Sequence, residues 1–251
     1  MEEKKEMNVY VYVIIMTSVT ALILSLLYTS LNPIFEANKA EAKKKAILSC
    51  IPDESINLDD MASVQAAYEK VNMIAVTEAG EVYKNEELET INGMVNGGAK
   101  KYKELAELDL ANEEKKSEKT RLYPVYEYDM NGEKIYVVAI RGNGLWDKIW
   151  AYVALKSDLN TIAGVYFDHK AETPGLGAEI KDSEAFKAQF KDRKVFQNGQ
   201  VALTVLKRYK EGEHFVGGIS GATITSDGVT KMFASGMAYY ETYFKTLKNK
   251  K

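Results

Sequence analysis

The chain has 251 residues, 46% of them apolar and 27% charged, with a net charge of −3. That is the balance of a globular protein of one large or two small domains, and it offers no basic footprint for nucleic acid. One cysteine, Cys50, and two histidines, His169 and His214, exclude an internal disulfide and leave no visible His/Cys metal cluster.

The run from Val9 to Leu31 holds 23 residues without Asp, Glu, Lys, Arg or His. At about 1.5 Å per residue it reaches roughly 34 Å as a helix, enough to cross a hydrocarbon core of about 30 Å. Tyr10, Tyr12 and Tyr28 fall near its ends, where aromatic belts form. Asn32-Pro33 is expected to stop the helix. A cleaved signal peptide has a basic start and a shorter apolar core. Here the start is mixed (Glu2, Glu3, Lys4, Lys5, Glu6) and the core long, so residues 1–33 read as a tail and a retained transmembrane helix. Lys4 and Lys5 before the span stand against Lys39, Lys43, Lys44 and Lys45 after it. That count favours a cytoplasmic main domain, by a rule that long domains override. The span carries no charged side chain, so the chain alone makes a poor ion conduit.

Residues 34–52 are rich in Lys, Glu and Ala and read as a solvated helical stalk ending at Pro52-Asp53. Residues 53–120 read as a helical insertion, with helical stretches at Ser63 to Val71 and Glu86 to Leu108. The second is broken by Asn96-Gly97-Gly98. Glu113 to Lys119 is a charged run expected at the surface.

Residues 121–251 form a β-rich domain. Arg121 to Tyr128 alternates as a strand, Asn131-Gly132 signals a hairpin turn, and Lys134 to Ile140 reads as a buried strand. Gly142-Asn143-Gly144-Leu145-Trp146 follows. A dinucleotide fingerprint fails there, because the third glycine position is Asp147 and strands flank it on both sides. A tight bend that brings backbone close to a ligand fits better; Trp146 reads equally as core or as a wall of that site. Ile149 to Leu155 and Thr161 to Asp168 read as further strands. The second leads into His169 and then Glu172-Thr173-Pro174-Gly175-Leu176-Gly177, where Pro174 fixes one φ angle and two glycines permit close approach. Glu172 and His169 do not make a hydrolase pair, since Ser220 lies in no Gly-x-Ser-x-Gly elbow. Ser183 to Phe190 is a short helix, and Val201 to Tyr209 a strand.

The richest stretch is Ser220-Gly221-Ala222-Thr223-Ile224-Thr225-Ser226-Asp227-Gly228. Val229, Met232, Phe233, Gly236, Tyr240, Tyr243, Phe244 and Leu247 then recur at helical spacing. The hydroxyls therefore sit at a helix N-terminus, where Thr225, Ser226 and Asp227 are capping types and the unpaired N–H groups suit a phosphate.

Ser-Gly-Ala-Thr-x-Thr resembles the flavinylation motif of the FMN-binding domain family, as do Gly-x-Gly-Leu-Trp and Glu-Thr-Pro-Gly-Leu-Gly. The resemblance implies an α+β fold: one N-terminal transmembrane helix, then a β-rich FMN-binding domain with flanking helices. It implies covalent FMN, phosphoester-linked to Thr223, with Ser220, Gly221, Ala222 and Thr225 around the phosphate. Glu172, Thr173, Gly175, Leu176 and Gly177 would meet the isoalloxazine or ribityl chain, and Gly144, Leu145 and Trp146 would form another wall. Family members often carry aspartate six residues before the modified threonine; this chain has Gly217. Motif order, anchor and length together resemble the C subunits of bacterial sodium-translocating NADH:quinone oxidoreductases. That implies an electron relay between an iron–sulfur centre and another flavin subunit, partner subunits in the inner membrane, a flavin transferase for maturation, and a periplasmic main domain. Two other readings stand beside it: the G-type subunit of an Rnf electron-transport complex, and a membrane-anchored, non-redox binding module.

Overall fold

The computed structural model describes residues 8–87, 102–208 and 210–249. The chain divides into two units, Met1–Lys44 and Lys45–Lys251.

The first unit holds residues 9–44 of helix α1 (Val9–Ser49); the apolar side chains of that part are exposed, and the helix is long and apolar enough to cross a membrane. Pro33 does not stop it: the helix runs on through the proline. Proline removes one backbone hydrogen bond, but the Ala-, Lys- and Glu-rich segment beyond it consists of strong helix formers, and these carry the helix past the gap.

The second unit is built on one antiparallel sheet: β1 (Asn72–Val76), β2 (Val82–Tyr83), β3 (Tyr123–Met130), β4 (Glu133–Asn143), β5 (Lys148–Leu155) and β6 (Ile162–His169), in the order β2-β1-β3-β4-β5-β6. The register pairs Val138 of β4 with Val125 of β3 and Val153 of β5. Both faces are buried. Val125, Val138, Ile140, Val153 and Phe167 point into one core with Phe190, Phe233 and Met237. Tyr126, Val137 and Ala154 point the other way, onto Ile47, Leu48, Cys50 and Val64. The alternation along each strand separates the two cores.

Residues 53–120 are not purely helical. Helix α2 (Met61–Tyr68) is followed by β1, which pairs with β3 over five positions from Asn72–Glu127 to Val76–Tyr123. Of the stretch expected to be helical, Asn85–Glu87 and Leu105–Glu107 are single 3₁₀ turns; the Asn96-Gly97-Gly98 break lies outside the described residues. Glu113, at the end of the short helix α3 (Leu110–Glu113), is buried rather than exposed. Its carboxylate accepts from the Tyr102 hydroxyl, from Lys116 Nζ at 2.6 Å and from the Leu122 N–H at 2.9 Å. Those donors satisfy a charge that composition alone assigns to the surface.

After β6 come α4 (Glu179–Asp182), α5 (Glu184–Ala188), a small hairpin of β7 (Phe196–Gln197) and β8 (Gln200–Val201), and a parallel pair, β9 (Thr204–Leu206) with β10 (Phe215–Gly217). The single strand expected from Val201 to Tyr209 is thus two short ones. They part at Ala202 and Leu203, whose N–H groups turn to the Val195 carbonyl. The C-terminal helix is likewise divided into α6 (Thr223–Ala238) and α7 (Glu241–Asn249). Tyr240 sits at the break, fully buried, and its hydroxyl donates to the carbonyls of Ala139 (2.7 Å) and Pro124 (3.2 Å).

Helix α6 lies unusually close to β4. A Cβ added at Gly236 would stand 2.6 Å from Ile140 Cβ, and one at Gly142 would stand 2.7 Å from Met232 Cβ. Glycines on both partners let backbones approach where a larger residue would hold them apart. The effect is to fix the N-terminus of α6 against the β4–β5 bend.

Candidate functional site

Three loops meet at that end of the sheet. The first is the bend between β4 and β5, closed by Gly144 N–H to the Asp147 carbonyl at 2.8 Å. It lifts Leu145 and Trp146 into solvent, Trp146 at 68% exposure, so Trp146 is not core. Lys170 beside it holds the Asp147 carboxyl below the usual carboxylate range.

The second loop follows β6. Thr173-Pro174-Gly175-Leu176 is a tight turn, closed by Leu176 N–H to the Thr173 carbonyl at 3.1 Å, with Gly175 at φ +74°. Proline at the second position and a positive-φ glycine at the third are the marks of a type II turn. The turn leaves Leu176 exposed and buries the backbone of Gly177.

The third loop is Ile219-Ser220-Gly221-Ala222, closed by Ala222 N–H to the Ile219 carbonyl at 3.1 Å, with Gly221 at φ +78°. Helix α6 starts directly after it, at Thr223. Its first intrahelical bond of this kind runs from Ser226 N–H to the Ala222 carbonyl. The N–H groups of Thr223, Ile224 and Thr225 therefore have no acceptor within the helix. Thr223 and Ser220 are exposed.

The expected caps do not cap. The N-cap position is Ala222, with no side-chain hydrogen bond. Thr225 and Ser226 lie inside the first turn, buried. Ser226 Oγ donates to the Ala222 carbonyl and accepts from Ile219 N–H at 3.1 Å, pinning the turn beneath the helix start. Thr225 Oγ1 donates to Glu172 Oε2 at 2.7 Å.

Glu172 joins the first two loops to the first turn of α6. It is 5% exposed. Its Oε1 accepts from Trp146 N–H at 3.0 Å and its Oε2 from Thr225 Oγ1. Its own N–H donates to His169 Nδ1 at 3.2 Å, which ties the start of this loop to the end of β6. Glycines surround the carboxylate: a Cβ at Gly144 would strike Oε1, and one at Gly177 would strike Oε2. A further bond, Trp146 Nε1 to Thr173 Oγ1 at 3.1 Å, joins the first loop to the second.

Between the loops opens a cleft of about 250 Å³. Leu145, Glu172, Thr173, Leu176 and Gly177 line one side; Gly221, Ala222, Thr223 and Thr225 line the other. Trp146, Gly144, Gly175 and Ser220 belong to the surrounding turns rather than to the lining. Ile224 also lines the cleft and is 58% exposed, a residue sequence reasoning passed over. The available signal was an apolar side chain at a helix start, off the buried face of that helix. Gly217, at the end of β10, exchanges two backbone hydrogen bonds with the Gln189 side chain, at 2.9 and 3.3 Å.

The FMN-binding domain family matches residues 144–238, which run from the β4–β5 bend to the last residue of α6. The crystal structure of the C subunit of Na(+)-translocating NADH-quinone reductase from Parabacteroides distasonis superposes with a TM-score of 0.67 at 30% identity, covering 85% of this chain and 96% of that one. The chain belongs to that family of reductase C subunits. The crystal structure of NqrC from Shewanella oneidensis has the same fold, with a TM-score of 0.64 at 23% identity and coverage of 85% and 99%. Among the curated relatives, the C subunit of the Na(+)-translocating NADH-quinone reductase of Vibrio anguillarum is 43% identical over 100 residues. That alignment spans 39% of either chain, and the one with the C subunit of Haemophilus ducreyi 55% of either, so the chain matches these curated C subunits over less than two thirds of their length.

The site's donor set fits a flavin mononucleotide. The start of α6 offers N–H groups and a positive helix end to a phosphate. Leu145, Trp146, Leu176 and Ile224 offer exposed apolar surface to a flat ring, and the area beside Gly175 is open.

Proposed function

We propose that this chain is the electron-relay C subunit of a sodium-translocating NADH:quinone oxidoreductase and carries FMN through a phosphoester to Thr223. The observation that carries this reading is the setting of Thr223. It is an exposed hydroxyl on the first residue of a helix, preceded by a turn that only glycine adopts readily, at the edge of an apolar-rimmed cleft. Gly221 and Ala222 leave the hydroxyl open to a flavin transferase. In the attachment, Thr223 Oγ1 loses its proton and bonds to phosphorus as the nucleotide donor's leaving group departs.

Bound FMN would supply the redox chemistry, accepting electrons and passing them on. The chain's own residues do the rest. The first N–H groups of α6 hold the phosphate, with Ser220 beside them. The Thr173–Gly177 turn and the Gly144–Trp146 bend orient the ring and shield part of it from water. In this reading electrons arrive from an iron–sulfur centre in partner subunits and leave to a second flavin in a membrane partner, while the sodium-coupled step belongs to the partners. Helix α1 anchors the chain in the inner membrane with the main domain on the periplasmic side. There a tether prevents loss of a cofactor that no surrounding pool would replace.

Intact mass of the full chain, expressed with a flavin transferase, tests the reading. The expected gain is one FMN less one water, mapped by peptide analysis to Thr223 and absent from Thr223→Ala. An unmodified chain from that host would overturn it.

A further inference from the structure

The geometry points to Glu172 as the residue that sets the reduction potential of the site's flavin, through a buried negative charge held at the cleft. This rests on the proposed function. The carboxylate lines the cleft and is 5% exposed. Among the described residues it has two hydrogen-bond donors, the Trp146 N–H and the Thr225 hydroxyl, and no ion pair. The cations nearby in sequence are engaged elsewhere: Lys170 with Asp147 and Lys181 with Asp168. The seat is made to measure. Gly144 and Gly177 are the two positions whose added Cβ would land on the carboxylate oxygens, so the chain keeps both flanks bare for it.

Burying a carboxylate is costly, and two neutral donors offset only part of that cost. Its field inside the protein is screened far less than in water. Each electron added to a neighbouring flavin adds negative charge next to one already present. The carboxylate therefore opposes reduction and holds the potential low, which suits a carrier that must hand electrons onward. Glu172 is a positioning residue as well, since its two bonds fix the bend and the helix start. The charge and the positioning separate by mutation. Glu172→Gln keeps the shape and an acceptor for Trp146 N–H, and Thr225 can turn its hydroxyl to accept from the new amide. Thr225→Val removes one of the two bonds and leaves the charge.

The experiment uses the full chain, flavinylated in the cell and purified in detergent. Midpoint potential is read by spectroelectrochemical titration at fixed pH, alongside flavin per chain and melting temperature. Glu172→Gln is expected to load flavin and to shift the midpoint positive. Thr225→Val is expected to lower the melting temperature with the midpoint at the wild-type value, as is Glu172→Asp. A loaded Glu172→Gln chain with an unchanged midpoint overturns the inference. So does a Thr225→Val shift as large as that of Glu172→Gln, because the effect would then be structural. A folded Glu172→Gln chain that takes no flavin, while Glu172→Asp does, also overturns it by assigning the carboxylate to attachment. A wild-type chain without flavin would overturn the proposed function itself, a result distinct from all of these.

Discussion

Gly177→Ala and Gly221→Ala replace two glycines of one cleft and should differ severalfold in cost. At Gly221 the burden is the backbone: φ is +78°, a conformation that costs a residue with a side chain about 1–2 kcal/mol. The new methyl would stand 2.9 Å from Leu176 Cδ2, the tip of an exposed and flexible side chain that can swing away. At Gly177 φ is not in that region, and the burden is steric. The added Cβ would strike Glu172 Oε2 and stand 2.7 Å from Thr225 Oγ1. Those two atoms are buried and bonded to each other, so neither can move without breaking the contact that joins the loop to α6. Overpacking costs about 1–3 kcal/mol and a hydrogen bond to a charged group about 1.5–3, so Gly177→Ala should cost roughly 2.5–6 kcal/mol. At about 2–4 °C per kcal/mol for a domain of this size, the melting temperature should fall by about 5–24 °C, against about 2–8 °C for Gly221→Ala. Thermal unfolding of the full chain in detergent, followed by circular dichroism, measures both. Equal losses, or a smaller loss at Gly177, would refute the argument that the Glu172 seat is rigid.

Gly236→Ala is expected to destabilise despite alanine's better helix propensity. The gain is about 1 kcal/mol, but a methyl 2.6 Å from Ile140 Cβ must push α6 off β4 at an overpacking cost of about 1–3 kcal/mol; a raised melting temperature would contradict it. Stability should also fall with acid. Asp53 is held below the usual carboxylate range by the Ser55 and Tyr128 hydroxyls, and Asp192 by Lys156. A carboxyl with a depressed folded pKa contributes stability that is present above its unfolded value, near about 4, and is lost as pH falls through the folded value. The melting temperature should therefore decline below about pH 4. Asp53→Asn should flatten part of that decline, and a curve parallel to wild type would exclude Asp53 as a source.

The four long strands were legible because β3 to β6 are buried on both faces and carry near-continuous β-branched and aromatic runs between turn signals. The face of α6 and α7 was legible from spacing alone, since a residue that recurs every three or four positions must share one side. The strand β1 was not. Five residues, Asn72-Met-Ile-Ala-Val76, carry too little periodicity to stand out among helix-forming neighbours. Its pairing partner β3 lies some fifty residues further along the chain. The same distance hid the role of Thr225. As a sequence letter it is a capping residue; its actual acceptor, Glu172, is 53 positions away. Local chemistry is readable in order, whereas contacts made by folding are not. That is why the cleft's motifs, Glu172 among them, were visible in the sequence, while the bonds by which its carboxylate joins Trp146 to Thr225 were not.

The shape of the cleft bears on why attachment would be covalent. Pockets that hold small ligands by enclosure run to about 300–1,000 Å³ and bury most of the ligand. This one is about 250 Å³, bounded by three turns and open to solvent, so it can grip part of a nucleotide but not enclose it. A bond at Thr223 would turn a weak bimolecular contact into an intramolecular one, with an effective concentration in the millimolar range for a short tether. The open face then becomes useful. A relay must let its carrier approach donor and acceptor in turn, and a deep pocket would bury the ring away from both. The stiffness needed for a fixed orientation comes instead from beneath, where Gly142 and Gly236 seat α6 on β4 and Glu172 ties the turns together. Softening that support with Gly236→Ala should loosen the ring's orientation before it releases the flavin. Visible circular dichroism of the flavin should therefore fall while flavin per chain stays constant, and loss of both in parallel would show that the cleft, rather than the tether, retains it.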